Sequence, residues 1–190
     1  AVAPRTYTYG VNADGSQWTK VYQGTDATAL AWNKTTENML GRTIREEQPG
    51  FGNFTLITTN VYDNASRLVA SVNFRLDGAT SVSSTISSTL SQYDRFGDRL
   101  FTALDVNQNG TIDFSGSDRV TGSTTAYIAK DSALWQEATQ SVYPDFNSDR
   151  TVTTAKSRRK LTNLGNLTSV SETEDIRGNV TTTTQAIDRS

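Results

Sequence analysis

The clearest regularity in the chain is the run RLVASVNFRL, residues 67–76, in which Leu68, Ala70, Val72, Phe74 and Leu76 alternate with mostly polar neighbours. Alternation with a period of two predicts a β-strand with one buried face and one wet face. Upstream, TLITTNVY (residues 55–62) is β-branched and aromatic, and Asp63-Asn64-Ala65-Ser66 lies between the two runs as a turn, so together they predict a hairpin. Val82, Ile86 and Leu90 stand four apart, which alone would suit a helix. The Ser/Thr residues between them favour a strand in which Val82, Ser84, Ile86, Ser88 and Leu90 share a face. Further strands are expected from Thr124 to Ile128, Trp135 to Tyr143, Leu167 to Thr173 and Val180 to Ala186, with no interdomain linker among them.

The turns repeat. Asn38-Met39-Leu40-Gly41-Arg42-Thr43-Ile44, Tyr62-Asp63-Asn64-Ala65-Ser66-Arg67-Leu68, Tyr93-Asp94-Arg95-Phe96-Gly97-Asp98-Arg99-Leu100 and Asp175-Ile176-Arg177-Gly178-Asn179-Val180 share one pattern. An acidic or amide residue is followed by two variable residues, a small residue and usually an arginine with an aliphatic. In a hairpin the Asp or Asn side chain caps the turn, glycine accepts positive φ, and the aliphatic restarts an inward face. The slots at 38, 63 and 94 lie 25 and 31 residues apart, a spacing suited to stacked hairpins. Ser66 replaces the glycine in one copy, Asp98 reads as an extra residue before Arg99, and residues 120–168 contain no clean unit.

Through these residues the chain resembles the Rhs/YD-repeat family, whose units carry Tyr-Asp, two variable residues, Gly, Arg and Leu. Tyr62-Asp63 with Arg67-Leu68, and Tyr93-Asp94 with Gly97 and Arg99-Leu100, carry the resemblance. Leu40-Gly41-Arg42-Thr43 and Asp175 with Gly178-Asn179-Val180 support it, and Tyr7-Thr8-Tyr9 with Asp14-Gly15-Ser16 extends it. The resemblance implies an all-β fold, an array of stacked antiparallel β-hairpins forming a spiral strip or shell segment over residues 1–190. Its units centre near 38–44, 62–68, 93–100 and 175–180, with 105–118 as an elaborated connection. It further implies a non-enzymatic structural module of a bacterial-type secreted protein, extracellular or at the cell surface, in a shell, strip or fibre. Its partners would be adjacent repeats of the same parent chain, identical subunits, or an enclosed protein cargo.

Two other readings stand beside it. One is an adhesin-like β module that binds glycans or proteins through exposed Trp18, Trp32 and Trp135, with Tyr7, Tyr9, Tyr22, Tyr127 and Tyr143. The bland alternative makes these rings core fillers and edge covers. The other is a filament subunit joined head-to-tail through sheet edges.

Composition narrows the chemistry. The chain has no histidine and no cysteine, which excludes imidazole-based triads, Cys/His zinc sites and disulfides. Serine and threonine supply roughly a quarter of its residues, favouring pleated surfaces over helices. With 18 basic and 20 acidic residues spread along the chain, no basic stripe exists to attract nucleic acid. No run approaches the ~20 apolar residues of a membrane helix. The opening Ala1-Val2-Ala3-Pro4 has no initiator methionine or signal-like apolar region, the expectation being a processed chain or a piece of a longer one.

Asp105-Val106-Asn107-Gln108-Asn109-Gly110-Thr111-Ile112-Asp113 places oxygen-bearing side chains at alternate positions with glycine sixth, as in a calcium loop. Asp105, Asn107, Asn109, Thr111 and Asp113 fit the first nine positions, but the twelfth is Gly116, and Asp118 comes two residues later. A complete EF-hand is excluded. A calcium loop completed by Asp118 and an Asx/Gly turn without metal remain. A poorer copy, Asp145 to Thr151, has Arg150 in the glycine slot and reads as a turn.

Acid pairs for glycoside hydrolysis are weighed at Glu46-Glu47, Glu172 and Glu174. Adjacent strand residues face opposite ways, and Glu172 and Glu174 are expected on a wet face. Ser157 beside Lys156 falls in the charged run Lys156-Ser157-Arg158-Arg159-Lys160, expected as an exposed connection. Asn-x-Ser/Thr sequons occur at Asn33, Asn53, Asn64, Asn109 and Asn166.

Overall fold

The computed structural model describes residues 4–27, 29–52, 54–78, 81–144, 151–161 and 168–186. Among them there is no helix, and the β-rich composition resolves into thirteen strands. These are β1 (Thr6–Val11), β2 (Gln17–Tyr22), β3 (Trp32–Glu37), β4 (Thr43–Pro49), β5 (Phe54–Tyr62), β6 (Leu68–Asp77) and β7 (Ser81–Tyr93). Then follow β8 (Arg99–Leu104), β9 (Arg119–Lys130), β10 (Ala133–Val142), β11 (Val152–Lys160), β12 (Thr168–Asp175) and β13 (Val180–Ala186). They form one open antiparallel sheet whose spatial order is the sequence order, as a stacked hairpin array requires. The expected hairpin of residues 55–76 is β5 and β6.

One turn design recurs at 12–16, 38–42, 63–67, 94–98 and 175–179. The first residue donates its N–H to the carbonyl of the fifth at 2.8–3.1 Å, and its own carbonyl accepts the N–H of the fourth at 2.9–3.3 Å. The fourth residue has φ between +68° and +100°: Gly15, Gly41, Ser66, Gly97 and Gly178. This is a three-residue hairpin loop with a left-handed closing residue. At Asn38, Asp63, Asp94 and Asp175 the side-chain Oδ1 also accepts the N–H groups of the third and fifth residues, at 2.8–3.1 Å. In the 12–16 turn Asp14 takes over, accepting the Ser16 hydroxyl at 2.6 Å and its N–H at 2.9 Å.

Two sequence expectations change here. Ser66 keeps the turn by adopting the left-handed conformation itself, and Asp98 is the ordinary fifth residue, equivalent to Arg42 and Arg67, not an insertion. The Tyr-Asp pair also acquires a mechanical meaning. Asp63 closes the turn, while the Tyr62 hydroxyl donates to Thr43 O of the preceding hairpin at 2.9 Å, with the Arg42 guanidinium 4.9 Å from its ring centre.

Four of the five turns join an odd-numbered strand to the next even one. The fifth joins β12 to β13, so five strands lie between it and the 94–98 turn, and the phase slips by one strand.

The chain divides into two compact units, residues 1–90 with 104–111, and residues 91–103 with 112–190. In the first, Lys20, Lys34, Glu47, Ile57 and Phe74 sit opposite one another in succession on β2 to β6 and so share a face. Ile57 is fully buried in that row. The two facing lysines avoid each other: Lys20 Nζ lies 3.8 Å from the Trp32 ring centre, and Lys34 Nζ approaches Glu47 at 3.5 Å. On the other face Thr58 donates to Asn73 Oδ1 at 2.6 Å, and Asn73 Nδ2 donates to Ser87 at 3.1 Å.

That polar ladder removes the clean wet-and-dry alternation expected of β6, where both faces are partly covered. Leu68 also leaves the face of Ala70. The register shifts between Val61 and Tyr62, pairing Leu68 with Tyr62 and leaving Val69 as the extra residue. A second shift pairs Asn73 with Ser87 but Phe74 with Thr85. Ile86 is the residue skipped, and it is exposed while Ser88 and Leu90 are buried. The side chain of Val82 lies outside the described residues.

Candidate functional site

Asp105 directly follows β8 and is buried. Its Oδ1 accepts the Asn109 N–H at 3.1 Å and its Oδ2 the Gly110 N–H at 2.9 Å. Asn107 Oδ1 accepts the Asn109 N–H at 3.2 Å, and Asn109 Oδ1 accepts the Thr111 N–H and hydroxyl at 2.8 and 2.7 Å. Positive φ at Gln108 and Gly110 lets the backbone wrap the Asp105 carboxylate. Asp113 and Asp118 belong to the second unit, where the Asp113 N–H donates to Asp118 Oδ2 at 3.1 Å. Among the described residues no three acidic side chains converge as a metal site. The poorer copy at residues 145–150 lies outside the described residues.

The second unit contains a cluster of charges drawn from four different strands. Lys156-Ser157-Arg158-Arg159-Lys160 is not a connection but the end of strand β11. Period-two alternation puts Lys156, Arg158 and Lys160 on one face, with Glu137 of β10 and Glu172 of β12 directly opposite Arg158, and Glu174 opposite Lys156. Arg158 Nε donates to Glu137 Oε2 at 2.6 Å, its Nη2 to Glu174 Oε2 at 2.5 Å and its Nη1 to Glu172 Oε2 at 3.5 Å. Lys130 donates to both oxygens of Glu172. The expectation of a wet face for Glu172 and Glu174 is thereby corrected: Glu172 is buried, and Arg158 is only 10% exposed.

Lys130 is on β9 and Glu172 on β12, three strand spacings apart, or about 14 Å across a flat sheet. Their contact carries an ion pair across β10 and β11 on this face. Trp135 is buried, its Nε1–H donating to Lys130 O at 3.0 Å with Lys130 Nζ 5.2 Å from the ring centre. The Arg158 hydrogen bond holds the Glu174 carboxyl below its ordinary value, and Glu174, ahead of Glu137, raises Arg158. Three glutamates and three cations thus neutralise one another on one face. Each of its acids is already committed to a cation. The signal was in the sequence as matched periods, basic residues at 156, 158 and 160 against acids at 172 and 174.

Ser157 points the other way, beside a groove of about 410 Å³ lined by Ala138, Ala155, Thr173 and Thr181. In the first unit Glu47 binds Lys34 and accepts Arg45 Nε at 3.0 Å, while Glu46 is exposed on the opposite face. The tryptophans are occupied: Trp135 is buried, Lys20 covers Trp32, Lys34 stands 5.1 Å from the Trp18 ring centre, and Trp18 lies over Gly10. Tyr143 joins Phe101 and Phe114 in a ring cluster with centroids 4.9–6.2 Å apart. Tyr7, Tyr9 and Tyr127 are exposed, Tyr22 half-buried. Sequon asparagines Asn33, Asn64 and Asn109 are exposed, as is Asn179 of a further sequon, Asn179-Val180-Thr181, and Asn53 and Asn166 lie outside the described residues. Compared with protein-family models, with curated proteins and with solved structures, the chain matches none.

Proposed function

We propose that this chain is a structural module, a YD-repeat-like array of hairpins that builds part of an extracellular shell, strip or fibre and performs no catalysis of its own. The observation that carries the reading is the fivefold use of one capped turn in a sheet whose strands neighbour each other in sequence order. Such a design extends by adding hairpins, because each unit needs only its neighbours. The tie from Tyr62 to the preceding hairpin supplies that neighbour contact. The charged residues support the same reading, since the clustered acids stabilise strand register. Electron microscopy of the intact parent polypeptide tests it: curved strips or shells are expected at its native location. A discrete enzyme particle whose activity is lost on mutating this segment's exposed face would overturn it.

A glycan-binding role is the second reading, favoured by exposed Tyr7, Tyr9 and Tyr127 and not by the covered tryptophans. A glycan array with no hits retires it.

A further inference from the structure

Asn109-Gly110 is the single Asn-Gly pair of the chain, and glycine, without a Cβ, is the residue that least hinders attack of its own nitrogen on the preceding side chain. The fold surrounds this pair with the groups that such an attack needs. The nucleophile is the Gly110 nitrogen, whose N–H donates to Oδ2 of buried Asp105 at 2.9 Å. The electrophile is Cγ of Asn109, whose Oδ1 accepts the Thr111 N–H at 2.8 Å and the Thr111 hydroxyl at 2.7 Å. A base therefore touches the proton that must leave, and two donors meet the oxygen on which charge must build. The same two bonds fold the Asn109 side chain back along the peptide that carries the Gly110 nitrogen. Gly110 has φ +76°, and a Cβ placed on it would meet nothing within 4 Å, so ring closure there displaces no neighbour. Asn109 is exposed to water, and Asp105 to Thr111 all belong to the first unit.

We propose that the folded chain modifies itself here, closing Asn109 onto Gly110 as a cyclic imide that water then opens to aspartate or isoaspartate. The Asp105 carboxylate takes the Gly110 proton as the nitrogen bonds to Asn109 Cγ, and the carbonyl electrons move onto Oδ1, held by Thr111. When those electrons return, the Cγ–Nδ2 bond breaks, and Asp105 gives its proton to the departing nitrogen, which leaves as ammonia. One water molecule then opens the imide. Attack at the side-chain carbonyl leaves aspartate, whereas attack at the main-chain carbonyl routes the backbone through the side chain and lengthens it by a methylene. Either product adds a negative charge to the loop that wraps Asp105. The event happens once per chain, without turnover, and is independent of the structural role proposed above.

Peptide mapping by mass spectrometry reads the loss of the Asn109 amide in the purified chain, kept folded or unfolded in guanidinium chloride at one pH and temperature. Loss is expected to be faster in the folded chain, and Asp105→Asn is expected to slow it there by about tenfold or more. Thr111→Val, which removes the hydroxyl and keeps the N–H, is expected to slow it as well, and Thr111→Ser to keep the original rate. Circular dichroism checks that each variant retains its strands. Should Asp105→Asn lose them, the two Thr111 variants decide. A folded-state rate equal to or below the unfolded one overturns the proposal, because the Gly110 hydrogen bond then restrains the nitrogen instead of activating it. A folded-state rate unchanged in the folded variants overturns it equally.

Discussion

Replacing Arg158 by methionine tests whether the charged face of the second unit holds the sheet together. The substitution keeps the aliphatic stem and removes a guanidinium that serves Glu137, Glu172 and Glu174 at once. Lys130 still neutralises Glu172, and Lys156 stands 3.9 Å from Glu174, but Glu137 loses its cation at 17% exposure. Breaking a buried pair costs about 3–5 kcal/mol. The partly open rim at Glu137 and Glu174 argues for the lower end, about 3 kcal/mol. In a chain of this size each kcal/mol moves the melting temperature by about 2–4 °C, so a drop of about 6–12 °C is expected in a thermal melt followed by circular dichroism. Arg159→Met is the control. Its guanidinium is on the opposite face, exposed, with Gln136 at 3.4 Å, and the expected loss is below about 0.5 kcal/mol. Adding Glu137→Gln to Arg158→Met should recover part of the loss, because the stranded carboxylate is its main cause. If Arg158→Met and Arg159→Met cost the same, the cluster is an ordinary screened surface network and the reasoning fails.

Three further outcomes are expected. Ser66→Gly relieves a left-handed serine and should stabilise by about 0.5–1 kcal/mol after the entropy of glycine is subtracted, whereas Gly97→Ser should cost a similar amount, both read from urea melts. Hydrogen bonds hold Asp14, Asp63 and Asp175 below 3.8, chiefly from the Ser16 hydroxyl, the Arg67 N–H and the Asn179 side chain respectively, while Arg158 holds Glu174 below 4.5. Their folded values are depressed, so their stabilisation is complete above the unfolded values and is lost as pH falls through the folded ones. With no histidine, the melting temperature should be flat between pH 5.5 and 8 and decline only below about pH 4.5; a transition near pH 6.5 would contradict this. Because the loop amides already bind the Asp105 carboxylate, EDTA or millimolar calcium should leave the melting temperature unchanged, and a rise of several degrees with calcium would restore the metal reading.

The turns were the most legible part of the sequence, because their chemistry is local. Asp or Asn followed three residues later by glycine or serine specifies both the cap and the positive φ. The hairpin of β5 and β6 was legible for the same reason. What misled were features settled by neighbouring strands. The run at 156–160 looks solvated until acids on adjacent strands supply partners, and only strand pairing shows that Arg158 and Glu172 are opposite. Strict alternation groups Ile86 with Ser88 and Leu90, and Leu68 with Ala70, whereas single-residue register shifts move both. The slipped phase of the last turn had no local signature, since it depends on how many strands intervene.

A sheet in which every strand lies beside its sequence neighbours responds to force in a particular way. Pulling outward on the first and last strands loads the ladder one hydrogen-bond pair at a time, so the chain unzips as a seam does instead of shearing as a block. Most of it should yield at low force in small steps of unequal length, each releasing one strand and its turn. Lys130 and Glu172, 42 residues apart and bridging β9 to β12, are the stitch that catches the seam, and extension is expected to pause there before the last strands part.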